Sequence, residues 1–179
     1  MFILLLGILS CTHLTAFESP ILHVSAAAVD DVFTLGVPHQ KAAWEFEPTI
    51  RLCASTEILL SRLKRAISYW EAAGYSFGEV TKDPLSTCMN ARFGEIIITL
   101  PESGFRDEHM ASTRIYTDNR SGAIVKAKIC ILPKNGRKDR VLEHEIGHAL
   151  GWSHYRQKRH IMHPNWHLGG YETTGLRKR

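Results

Sequence analysis

The chain has 179 residues, a formal net charge of +4, and 44% hydrophobic and 22% charged residues. That length fits one domain with a sizeable core, and the composition is that of an ordinary globular protein. Much of the basic excess lies in Arg156–Arg159 and Arg177–Arg179. These runs lack interleaved aromatics or a known binding module, so they read as solvated surface and exclude nucleic acid as a partner.

In chain order, Met1 to Leu9 is apolar apart from Gly7 and too short to span a bilayer as a helix. Small and polar residues follow, so residues 1–17 read as a signal peptide or a lipoprotein signal, although no positive charge precedes the run. Ile8-Leu9-Ser10-Cys11 resembles a lipobox with Leu9 in place of the usual small residue; on that reading Cys11 carries a lipid. An apolar first segment retained in the fold is the third reading. The expected location is secreted or extracytoplasmic, with membrane contact only through lipidation of Cys11. Cys53, Cys88 and Cys130 remain after export, which predicts one disulfide and one thiol left over without choosing the pair. Their spacing is not that of a zinc ribbon.

Residues 18–44 lack a sustained period and read as a linker, a short pro-segment or an extended arm. Phe46 to Cys53 alternates as a strand does. Ser55 or Thr56 then caps a helix running to about Ala73, with Leu59, Leu60, Leu63, Ala66, Ile67 and Trp70 as its core face and Gly74 as its stop. Tyr75 to Val80 alternates as a half-buried strand, and residues 81–93 form a loop with Pro84 and Cys88. Glu95 to Leu100 is nearly continuous apolar, the mark of a central strand covered on both faces. After a loop from Pro101 to Arg106, Met110 to Thr117 and Ala123 to Leu132 are strands joined by a turn at Asn119–Gly122. Pro133–Gly136 ends the second. A helix from about Asp139, its cap, to Leu150 follows, with Val141, Leu142, Ile146, Ala149 and Leu150 inward. The order predicts an α+β domain over residues 45–179, a mixed, twisted five-stranded sheet over two long helices.

The last helix carries the chemistry. It reads His144-Glu145-x-x-His148, then Gly151, then His154, five identities fixed within eleven positions. Residues four apart share a helix face, so His144 and His148 converge on one point. A catalytic zinc wants three protein ligands and an open position. Gly151 permits the left-handed turn that ends a helix, which frees His154 to return as the third ligand. Glu145 lies beside the ligands and reaches a bound water without binding the metal. Surface histidines aligned by chance are the plain alternative for the short motif; the long form leaves little room for it.

Eight residues beyond His154 stands Met162, within His160-Ile161-Met162-His163-Pro164-Asn165-Trp166. Here the chain resembles the matrixins, the matrix-metalloprotease branch of the metzincins. The resemblance covers residues 45–166 in element order and 144–166 in motif. It implies a zincin-like fold whose zinc cleft is closed by a methionine turn at Met162. His163 stands where an aromatic is usual, and Pro164 continues the turn. Trp166 falls where matrixins carry a tyrosine lining the primed-side pocket, so His163, Pro164 and Trp166 are the substrate-pocket candidates. Astacins are a poorer match, because Tyr155 follows the third histidine where they often carry glutamate. No Pro-Arg-Cys-Gly cysteine switch is present. The clusters that supply the family's structural zinc and calcium sites are also missing, so one catalytic Zn²⁺ is expected and calcium or a second zinc is not. Asp107, His109, Asp118 and Asn119 read as surface loop. The family's C-terminal helix is not expected, given Gly169-Gly170 and Gly175.

The expected function is a zinc-dependent endopeptidase acting on extended protein or peptide substrates. His144, His148 and His154 hold the metal, and Glu145 acts as general base and then acid. The family pairs its substrate with an exposed edge strand, for which Met110–Thr117 is the candidate. His163 reads equally as an oxyanion or pocket contact and as a structural imidazole of the turn. A monomer is expected. The alternative is a catalytically inactive, metzincin-like zinc-binding module acting in protein binding; an intact Glu145 speaks against it.

Overall fold

The computed structural model describes residues 36–84, 88, 90–101 and 110–178, and the backbone of 23–26. The segment expected to be a signal, residues 1–17 with Cys11, most of the 18–35 stretch, the loop at 102–106, and Asp107 and His109 lie outside the described residues. Among the described residues, strands β1 (His23–Ala26), β2 (Thr49–Cys53), β3 (Val80–Asp83), β4 (Glu95–Thr99), β5 (Ala111–Thr117) and β6 (Ile124–Ile131) form one sheet. The helices are α1 (Leu60–Glu71), the single turn α2 (Pro133–Gly136) and α3 (Val141–Ala149). No described helix is long and apolar enough to cross a membrane.

The sheet runs β1-β5-β6-β4-β2-β3. β3, β2, β4 and β6 are mutually parallel, whereas β5 is antiparallel to β6 and β1 antiparallel to β5. The expected mixed, five-strand α+β arrangement is therefore present between residues 49 and 131, with a sixth strand added on the β5 edge. β4 is buried along its whole length, as its isoleucines predict. Ile96 and Ile98 pack with Ile50, Leu52, Ile129 and Ile131 beneath Leu63, Ala66, Ile67 and Trp70 of α1 and Leu142, Ile146 and Ala149 of α3. On the opposite face Ile97 packs with Cys53 and Cys88, which are joined as a disulfide; Cys130 is not part of it. Beside them a buried ion pair holds Arg51 to Glu95 at 2.7 Å.

Four local expectations are corrected. Neither Ser55 nor Thr56 caps α1: residues Ala54–Thr56 form a separate 3-10 turn, closed by the Thr56 hydroxyl donating to the Cys53 carbonyl at 2.8 Å. Glu57 then turns left-handed (φ 56°), and α1 starts only at Leu60. Leu59 precedes the helix and is 68% exposed, so it leaves the core face that Leu63, Ala66, Ile67 and Trp70 do form. The strand expected at Tyr75–Val80 lies later, at Val80–Asp83, because Tyr75 is drawn into the core and its hydroxyl accepts from Trp152 Nε1 at 2.7 Å. Asp139 does not cap α3; Arg140 precedes it in a left-handed conformation (φ 71°) with no side-chain cap. The stop at Gly74 holds, with φ 92°.

α3 is fastened on two sides. From α1, Arg62 forms a buried pair with Glu143 at 2.7 Å, and Trp70 Nε1 donates to the Glu143 carbonyl at 2.8 Å. From the N-terminal side, residues 39–44, grouped by sequence with the linker, strap its end. Gln40 Nε2 donates to Leu150 O at 2.9 Å and Trp44 Nε1 to Ala149 O at 2.8 Å. No helix follows α3 among the described residues.

Candidate metal centre

His144 and His148 leave the same face of α3, one turn apart. The chain then reverses at Gly151, whose φ is 93° and whose missing side chain leaves room for the Ala42 backbone; any Cβ there would collide with the Ala42 carbonyl. Both demands select glycine. His154 returns to the helix, and the three Nε2 atoms meet: His144–His148 at 3.0 Å, His148–His154 at 3.1 Å and His144–His154 at 3.3 Å. This is the one group of three or more metal-ligating residues among those described, and it could hold a metal ion.

The outer ring nitrogens identify the donor set. His144 Nδ1 lies 2.7 Å from the Ile161 carbonyl and His148 Nδ1 2.7 Å from the Trp152 carbonyl. A carbonyl only accepts, so each Nδ1 carries the proton and donates it. That fixes the tautomer in which Nε2 keeps its lone pair. Three Nε2 atoms around a tetrahedral ion at ~2.0–2.1 Å would sit about 3.3 Å apart, close to the spacing of these two and His154. Burial also disfavours the charged rings. It pushes His144 down to about 4, aided by the neighbouring histidines against the Ile161 bond, and His148 well below the usual range. Burial thus favours the neutral form of both helical imidazoles, the form a metal requires.

Glu145 follows His144 directly on α3 and is buried, at 6% exposure. Its Oε2 accepts from the Thr113 hydroxyl at 2.6 Å. Burial raises its carboxyl to about 7, and the Thr113 bond acts against that rise. A cation on the histidines would favour its ionised form further. By sequence Thr113 is legible only as a residue of the Met110–Thr117 strand, with nothing in its neighbourhood to mark it as the partner of Glu145.

Met162 is fully buried beneath α3. A Cβ on Gly147 would strike its sulfur, and would come within 2.7 Å of Trp70. The Met162 segment is pinned by Tyr155 N–H donating to Met162 O at 2.8 Å and Met162 N–H donating to His160 Nδ1 at 3.1 Å. His163 is buried, and its Nδ1 accepts from Asn165 N–H at 3.0 Å, closing the turn. Pro164 is exposed. Trp166 stacks its ring under the Arg140 guanidinium, 4.8 Å away, and donates Nε1–H to Asp139 O at 2.9 Å. Asp118, read as surface loop, organises its turn by accepting from Arg120 N–H at 2.7 Å and Ser121 N–H at 3.1 Å. No protein-family model matches this chain, and neither does any curated protein.

Proposed function

We propose that the chain is a zinc-dependent endopeptidase of the metzincin type, matrixin-like, acting outside the cytoplasm on extended protein or peptide segments. The observation that carries this reading is the meeting of three Nε2 atoms, those of His144 and His148 oriented by carbonyls behind their rings, beside the carboxylate of Glu145. An all-imidazole set of three suits zinc and leaves a position open for water. Zinc bound there supplies Lewis acidity, which eases ionisation of a water and offsets charge on the scissile carbonyl oxygen.

Glu145 accepts the proton of the attacking water and passes it to the leaving nitrogen. Thr113 holds the carboxylate in place for both transfers through the 2.6 Å bond. Met162 under Gly147 supports reading residues 160–164 as the methionine turn, the apolar floor of the site. His163 serves that turn as a structural imidazole. In this reading Pro164 and Trp166 contribute to the primed-side wall. Trp166 offers that wall its apolar ring, because its N–H is committed to Asp139. The substrate adds to β5 by main-chain hydrogen bonds, on the side where β1 lies in the structure. The Cys53–Cys88 disulfide supports an oxidising compartment and therefore export.

The test is cleavage of unfolded casein by wild type and Glu145→Ala, with and without chelator. Wild type cleaves, chelator stops it and added zinc restores it, while Glu145→Ala binds zinc without cleaving. Equal cleavage by both proteins overturns the mechanism. Zinc bound with no cleavage by either returns the binding-module reading.

A further inference from the structure

In the structure the β5 edge is already paired. β1 lies antiparallel on it, from His23 opposite Thr117 to Ala26 opposite Arg114. A sheet edge presents a row of main-chain donors and acceptors, the features by which an extended peptide is recognised. β1 takes up that row over Arg114–Thr117. Its direction places its end toward the metal centre. Ala26 faces Arg114, one residue from Thr113, whose hydroxyl bonds the Glu145 carboxylate.

The same arm is anchored farther on. Ser153 N–H donates to His39 O at 2.9 Å, Lys41 N–H to Gly151 O at 2.8 Å, and Ile124 N–H to Ala43 O at 2.8 Å. A strand tethered this near has a high effective concentration at its partner edge, on the order of millimolar for a short connection. A dilute peptide in solution competes poorly against it.

We propose that residues 23–26 are a blocking strand, which fills the peptide track of β5 and must be displaced or removed before a substrate can add. The proposal rests on the endopeptidase reading. Recognition through main-chain bonds would give the chain a latent state without a cysteine placed on the metal.

Proline tests this in the full chain. Successive amides of an antiparallel strand face the partner and solvent in turn, so one of Val24→Pro and Ser25→Pro removes a ladder donor. Ser25→Ala serves as control. Hydrogen exchange of β5 amides is read in zinc-loaded proteins that also carry Glu145→Ala, so that no cleavage intervenes. One of the two prolines should speed exchange over Arg114–Thr117 by ~10-fold or more while leaving β6 unchanged. With Glu145 intact, the same proline should raise kcat/KM on a casein-derived peptide by ~10-fold, and a synthetic peptide of residues 21–28 should lower it again. Unchanged β5 exchange in both variants overturns the docking. Faster exchange with unchanged hydrolysis overturns the block. Zinc-loaded protein that hydrolyses nothing in any variant sinks the endopeptidase reading and the block together, while exchange still decides whether the strand docks.

Discussion

Replacing Thr113 by valine removes one hydroxyl and little volume. The lost bond is the 2.6 Å contact to Glu145 Oε2, made where Thr113 is 7% and Glu145 6% exposed, so water does not readily replace it. A hydrogen bond to a charged group contributes ~1.5–3 kcal/mol. If that support acts on the transition state, and each tenfold in rate is about 1.4 kcal/mol, kcat/KM falls by ~10- to 150-fold. The measurement is first-order hydrolysis of a quenched fluorescent peptide, with zinc content and thermal midpoint followed in the same samples. Thr113→Ser retains the donor and should stay within a few-fold of wild type. A valine variant with full zinc and wild-type kcat/KM would refute the role given to Thr113. So would a serine variant as impaired as valine.

Gly147→Ala drives a methyl into Met162 and Trp70 and should cost ~1–3 kcal/mol in denaturant unfolding, because both neighbours are fully buried. Glu95→Gln leaves Arg51 buried without its anion and should cost ~3–5 kcal/mol near neutral pH. Burial opposes the charge of Glu95, but Arg51 and the Arg92 N–H outweigh it and hold the carboxyl below its usual value. The stabilisation is therefore full above the ordinary glutamate value of about 4.3 and fades as pH falls through the lower folded value. Urea unfolding of both proteins against pH should show the gap narrowing only in that acid range. Cys53→Ser opens a link spanning 35 positions, which chain entropy values at about 4 kcal/mol. Wild type under reductant should lose about as much thermal stability, and the variant should not respond.

What the sequence made legible follows the strength of local periodicity. The nearly continuous apolar run Glu95–Leu100 reads as a covered strand, and the spacing of Leu63, Ala66, Ile67 and Trp70 reads as one face of a helix; both form. Boundaries were less legible because they depend on distant partners. Tyr75 alternates with its neighbours as a strand residue would, but Trp152, far along the chain, draws it into the core. The candidate ligands were readable because a helix turn and one glycine set their spacing. Their orientation was not. The carbonyls of Ile161 and Trp152 and the hydroxyl of Thr113 reach the site only through the fold. β1 was hidden for the same reason: four residues of unremarkable pattern become a strand only where an edge is waiting.

The most direct test of the central claim compares wild type with Glu145→Gln at equal zinc loading. The account predicts one zinc per chain in both and a fall in kcat/KM of ~10²-fold or more in the variant, the scale of general acid–base catalysis. Undiminished hydrolysis by Glu145→Gln, or a fully zinc-loaded wild type that cleaves no peptide bond, would contradict it.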